Sequence, residues 1–219
     1  MRNQIPRTLL SLTGLGIFLL LAYGSEYSTN KNGSNSNRSV GIDARATSYV
    51  NSKSGFTGKL EENYVDFSFD YPSSWKRDSE AGQGSSPNFV KVETLTSDQI
   101  TIENFAVGYC NGPLSLMPSL AGQLSEQFSG GFPEYEKVSE GEVRVAGLDG
   151  YEFRFTSHSN KTKDLDFYGR VVLFPSAAGR KGAVLIMLAT SESPDVRSVD
   201  DVGEKGGLSV ILKSFKLGS

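Results

Sequence analysis

The chain has one cysteine, one histidine and one tryptophan in 219 residues, and each scarcity removes a class of chemistry. A single Cys110 rules out an intrachain disulfide, so packing must supply the stability even in an oxidising compartment. One histidine and one cysteine cannot build a structural zinc site. His158 lies in a Ser-His-Ser-Asn stretch that reads as a surface turn, no G-x-S-x-G elbow exists, and a Ser-His-Asp triad has no evident base. Cys110 ends a strand-like run before Asn111-Gly112-Pro113 and reads as a partly buried, inert thiol. No stripe of lysine and arginine appears, and the formal net charge is −3, which argues against nucleic acid as a partner. Gly203-Glu204-Lys205-Gly206-Gly207 has glycines and a lysine but lacks P-loop order and spacing, so it reads as a loop before a helix.

Long apolar runs are also missing, with one short exception. Leu9 to Leu21 is almost unbroken, follows Arg2 and Arg7, and ends in Ala22-Tyr23-Gly24, where a signal peptidase could cut. At about 13 residues it falls short of the roughly 20 that span a bilayer. Residues 1–24 therefore read as a cleavable signal peptide, or as a membrane tether if left uncut. No cysteine follows it, so the usual lipoprotein anchor is absent. The basic start places the rest of the chain outside the membrane: periplasm, extracellular space or thylakoid lumen.

Residues 25–60 are rich in Ser, Asn, Gly and Lys and read as a disordered polar tether. Asn32, Asn37 and Asn160 begin glycosylation-type triplets, which matter only in a eukaryotic secretory pathway. Residues 61–219 carry the apolar periodicities and suffice for one core.

Within that domain Val65, Phe67, Phe69 and Tyr71 alternate with polar residues, as in a half-buried strand stopped by Pro72. Phe89–Leu95 and Ile100–Tyr109 read as strands joined by the Thr96-Ser97-Asp98-Gln99 turn. Met117, Leu120, Leu124 and Phe128 then mark one helix face, with Pro118 in the first turn and Gly130-Gly131 as the stop. Strand signals resume at Tyr135–Val145, Tyr151–Phe155 and Leu165–Phe174. Ala183–Ala189 is apolar at every position and should be a central strand. Leu208, Ile211, Leu212 and Phe215 suggest a last helix, with Lys213 and Lys216 at its C-terminal end. The predicted order is strands, a helix, strands again and a last helix. Short turns between strands imply antiparallel pairing, which gives an α+β fold: an antiparallel sheet of six to eight strands flanked by helices in an α/β/α sandwich.

Three stretches carry a family resemblance. Phe67-Ser68-Phe69-Asp70-Tyr71-Pro72-Ser73-Ser74-Trp75 resembles the F-x-F-x-x-P-x-x-W opening of PsbP-like domains. Gly147-Leu148-Asp149-Gly150-Tyr151-Glu152-Phe153 resembles their hairpin into a central aromatic strand, and Leu212–Leu217 their terminal helix ending in Ser-Phe. Together the stretches bracket residues 65–217. The opening motif is fold-defining: Phe67 and Phe69 plug the core, Pro72 ends the strand and Trp75 caps the sheet edge. The resemblance implies architecture before activity. Such domains occur as extrinsic lumenal subunits of photosystem II, as exported bacterial proteins and as a nuclear partner of a small GTPase. The export segment is incompatible with the nuclear role. Cyanobacterial members usually carry a lipoprotein cysteine where this chain has Ser25 and Glu26.

The leading expectation is a monomeric, non-enzymatic binding or assembly module that contacts a protein partner at the membrane or envelope. An extrinsic photosystem II role applies if the source is phototrophic. A hydrolase using paired carboxylates such as Glu152 and Asp166 is a second class. A carrier with a ligand or lipid cavity beneath Met117–Phe128 is a third. No catalytic or cofactor-binding residue is assigned. For a metal, only Asp164 and Asp166 share a strand face and could offer calcium oxygen ligands; Asp200, Asp201 and Glu204 read as solvated surface.

Overall fold

The computed structural model describes residues 45–84, 86–160 and 164–218. The export segment, the first part of the tether, Asn32 and Asn37 lie outside the described residues. No helix among the described residues is long and apolar enough to cross a membrane.

Two antiparallel sheets and three helices form the domain. The strands are β1 (Ala46–Val50), β2 (Phe67–Pro72), β3 (Lys76–Arg77), β4 (Asn88–Leu95) and β5 (Thr101–Cys110), then β6 (Glu136–Val145), β7 (Leu148–Ser159), β8 (Leu165–Phe174), β9 (Gly182–Thr190) and β10 (Lys216–Leu217). The helices are α1 (Gly58–Glu62), α2 (Met117–Gly131) and α3 (Gly206–Ser214). Seven strands run in the order β3-β4-β5-β9-β8-β7-β6, so the all-apolar β9 is fourth of seven and central, as its composition requires. Seven strands fall within the expected six to eight, and the structure adds a second, smaller sheet. The opening strand β2 leaves the main sheet and joins β1 and β10 in a second sheet of three strands.

Each face of the large sheet is covered, which its buried strands demand. Beneath α2, Met117, Ala121, Leu124 and Phe128 meet Phe153, Phe155, Val171 and Leu173. Burying such large side chains stabilises the fold by about 1.5–3 kcal/mol each. The opposite face carries the three-stranded sheet and α3, with Phe67 and Phe69 over Phe105, Leu185 and Met187. The sandwich therefore has helix on one side and a mixed helix-and-sheet layer on the other.

The ordered domain begins earlier than the 61–219 boundary suggests. Residues 46–60, assigned to the tether by composition, include β1 and most of α1. Average polarity conceals three well-placed groups. The Tyr49 ring lies 5.3 Å from that of Phe69, Asn51 is buried and donates through Nδ2 to the Val65 carbonyl (2.7 Å), and Leu60 is in the core.

The turn between β6 and β7 is Ala146-Gly147, both at positive φ (51° and 77°). Positive φ at both central residues is the type I′ geometry of a two-residue hairpin, and strand β7 already begins at Leu148. Trp75 is buried rather than perched at an edge, and it lies against Gly207 at the start of α3. A Cβ at Gly207 would overlap the indole ring, so Gly207→Ala is expected to cost about 2 kcal/mol through overpacking. Urea unfolding monitored by Trp75 fluorescence would check this.

Candidate functional site

Among the described residues, the buried charged groups Arg170 and Glu103 serve the frame. In β8 the run Leu165–Phe174 is interrupted by Arg170, which is buried at 3% exposure. Its Nε donates to Glu152 Oε2 (2.8 Å), and its Nη1 donates to Glu204 (2.9 Å) and the Val202 carbonyl (3.3 Å). Arg154 donates to the other Glu152 oxygen (2.9 Å) and to the Val199 carbonyl (3.3 Å). One carboxylate thus holds two guanidinium groups, and they pin the 199–204 segment onto the sheet.

The Gly203–Gly207 stretch is no open loop. It leads into α3, whose first turn points at the buried carboxylate of Glu103 on β5. The Leu208 N–H donates to Oε2 (3.3 Å) and Ser193 Oγ donates to Oε1 (2.7 Å). The anion-binding end of this helix is therefore filled by the chain's own carboxylate. Burial pushes the Glu103 carboxyl upward, against the hydrogen bonds from Ser193 and Leu208 that favour its charged form.

The predicted candidates are dispersed. Asp166 stands across from His158 in the β7–β8 ladder, with His158 Nδ1 2.9 Å from Asp166 Oδ1. His158 Nε2 is 3.1 Å from Asp164 Oδ1. Both carboxylates are thus directed at one imidazole from its two nitrogens and do not fit a calcium site. Among the described residues, no three His, Cys, Asp or Glu side chains are grouped to hold a metal ion. Glu152 faces Val172 in the same ladder, six residues from the His158 row, which separates it from Asp166 by about 20 Å. That pair cannot share a substrate as acid and base. The space beneath α2, suggested for a carrier cavity, is filled by side chains; Phe128 stacks on Phe155 at 5.3 Å. Cys110 is buried with its sulfur 3.6 Å from that of Met117, and burial pushes its thiol to about 12, in keeping with an inert role. Asp201 pairs with Lys205 (2.8 Å), and Asp200 is exposed.

The His158 arrangement has a pH consequence. Bonding to both carboxylates needs two N–H donors, so the imidazolium is favoured, and the Asp166 hydrogen bond holds its pKa above the ordinary 6.5. A histidine raised on folding contributes stability below its unfolded pKa and loses it as pH rises through the folded value. An NMR titration should place His158 above 6.5, and Asp166→Asn should lower it.

Two features of the described residues face outward. A groove of ≈ 390 Å³ lies on the three-stranded sheet, lined among others by Ser48, Val50, Asp70, Ser214 and Lys216. At one edge of the large sheet β6 is a ten-residue strand, exposed along nearly its whole length. Neither was evident from sequence as a site. Edge position depends on strand order, which alternation does not encode. Arg170 and Glu103 did leave a signal, as charges inside strands rich in apolar residues.

Three solved structures resemble the chain. The chain is similar to cyanobacterial PsbP. The solution structure of CyanoP from Synechocystis sp. PCC 6803 shares 18% sequence identity, covers 85% of this chain and 98% of its own, and superposes with a TM-score of 0.48. LpqN, described as involved in cell envelope biogenesis of Mycobacterium tuberculosis, has 11% identity, 81% and 94% coverage and a TM-score of 0.45. PA94 of Pseudomonas aeruginosa, of unknown function and a suggested regulator, has 11% identity, 58% and 77% coverage and a TM-score of 0.29. No protein-family model and no curated protein sequence matches the chain.

Proposed function

We propose that the domain is an exported, non-enzymatic binding or assembly module that works by surface contact with a membrane or envelope complex. The observation that carries this reading is a division of labour between interior and surface. Interior ionisable groups are spent on the frame: Glu103 on the start of α3, and Glu152 with Arg154 and Arg170 on the 199–204 segment. The space beneath α2 is taken up by rings. The ten-residue edge β6, by contrast, is turned to solvent along with Val138, which is 49% exposed.

The reading is tested with the full-length protein carrying a photo-crosslinking residue in place of Val138, incubated with its native envelope fraction. A small set of discrete adducts is expected. Labelling no different from that of the same group at Gln123, on the exposed side of α2, would count against surface contact at this end.

A further inference from the structure

The two sheets end in four edges, and they differ in what they offer. Strands β3 and β10 are two residues long, and beyond β10 the β2 edge is covered where the Asp70 N–H donates to Ser214 Oγ (2.9 Å). Strand β1 has five residues. Only β6, with ten, leaves a long ladder open among the described residues. Its register fixes which groups are free. In a two-residue type I′ hairpin the residues flanking the turn, Val145 and Leu148, form a hydrogen-bonded pair. Alternation then turns Val143 and Gly141 toward β7, and directs the N–H and C=O groups of Glu140, Glu142 and Arg144 outward.

The side chains along this edge narrow the partner. Lys137 pairs with Glu140, which also accepts from the Tyr151 hydroxyl (3.2 Å), and Arg144 pairs with Asp149 (2.5 Å). Both cations of the strand are thereby neutralised. Glu134, Glu136 and Glu142 are exposed and make no ion pair among the described residues. Charge on an edge ordinarily defends against unwanted pairing. Here the unneutralised charge has one sign, so the defence repels an acidic strand and brings glutamates together if two copies pair. Toward a cationic strand the same charges attract. The bulge between Lys137 and Ser139 limits a continuous register to Ser139–Val145.

We infer that β6 is a docking edge for an extended, lysine- or arginine-bearing segment of a partner protein, which adds an eighth strand along Ser139–Val145. Backbone bonds to Glu140, Glu142 and Arg144 give affinity and the unpaired glutamates give selectivity. The inference rests on the surface-contact reading and names the surface and the chemistry of its partner.

The test uses the full chain and a fluorescent synthetic peptide of alternating lysine and valine, with a glutamate–valine peptide as control. The basic peptide should bind and slow amide exchange at Glu140, Glu142 and Arg144 by about tenfold or more. Glu142→Pro, which removes an outward N–H at an edge that tolerates proline, should weaken binding by about tenfold or more, and Glu142→Gln by less. If Glu142→Pro fails to fold, the exposed pair Glu136→Lys with Glu142→Lys decides, and it should abolish binding. Equal binding of the acidic peptide, or undiminished binding by these variants, overturns the inference. So does protection of the three amides without peptide, which would mean that a second copy (if concentration-dependent) or the N-terminal segment (if not) holds the edge. Should the Val138 adducts from envelope persist in Glu142→Pro, the inference falls and surface contact stands; absence of discrete adducts from the Val138 variant with Glu142 intact would remove the broader reading as well.

Discussion

Replacing Arg170 with alanine should destabilise the domain by about 3–5 kcal/mol, the cost of removing one partner from a buried ion pair. The side chain crosses from β8 to Glu152 on β7 and on to Glu204 and the Val202 carbonyl. Its loss leaves the Glu152 carboxylate, whose side chain is 13% exposed, with Arg154 alone, and it frees the segment that carries the core residue Val202. Removing the charges together is a different matter. Arg170→Met, Glu152→Met and Arg154→Met together should recover much of the loss, because the Glu152 carboxylate also holds Arg154 and a buried triad replaced by apolar groups of similar volume is often close to neutral. Urea denaturation at pH 7 measures both, and thermal unfolding should show Arg170→Ala melting roughly 10 °C lower. A value for Arg170→Ala within about 1 kcal/mol of the unmodified protein would mean that the clamp contributes little to stability.

Arg170 also illustrates what a sequence shows and what it withholds. The alternation in Phe67–Tyr71, the helix face of Met117–Phe128 and the unbroken apolar β9 are local patterns, and each element forms where its pattern lies. Centrality of β9 follows from its being apolar on both faces, and the sheet order places it there. Sheet membership is another kind of information. Phe67 and Phe69 fix which side of β2 is buried, but nothing local says that they face the large sheet from a second one. The start of the domain was hidden for a related reason. Tyr49, Asn51 and Leu60 are few among many polar residues, and composition averages over a window that three good contacts do not move.

The candidate sites failed or emerged by the same logic. Asp164 and Asp166 do share a locality, as their spacing suggests, but His158 arrives from the facing strand and takes both. Glu152 and Asp166 looked like a pair only because both are carboxylates in neighbouring strands; the register sets them apart. The open edge depends on the order of all seven strands and on a bulge, and so became visible only in three dimensions.

Glu103 provides the second large effect and a pH dependence of unusual sign. Glu103→Ala should cost about 3 kcal/mol, because the Ser193 hydroxyl and the first N–H groups of α3 would lose their buried acceptor. Glu103→Gln keeps an acceptor in place without charge, and at neutral pH it should equal or exceed the unmodified protein in stability. The reason is the upward push that burial gives this carboxyl. A carboxyl raised on folding contributes stability that is fully present below its unfolded pKa and is lost as pH rises through the folded value. Most carboxylates of a folded protein act in the reverse sense, so the contribution is best seen as a difference. Urea unfolding of the unmodified protein and of Glu103→Gln, from pH 4.5 upward, should show the variant gaining relative stability with rising pH until Glu103 is fully ionised, and a constant gap thereafter. A gap that shrinks with rising pH would mean that the α3 N-terminus and Ser193 outweigh burial, and that the carboxylate is the preferred form at this helix end.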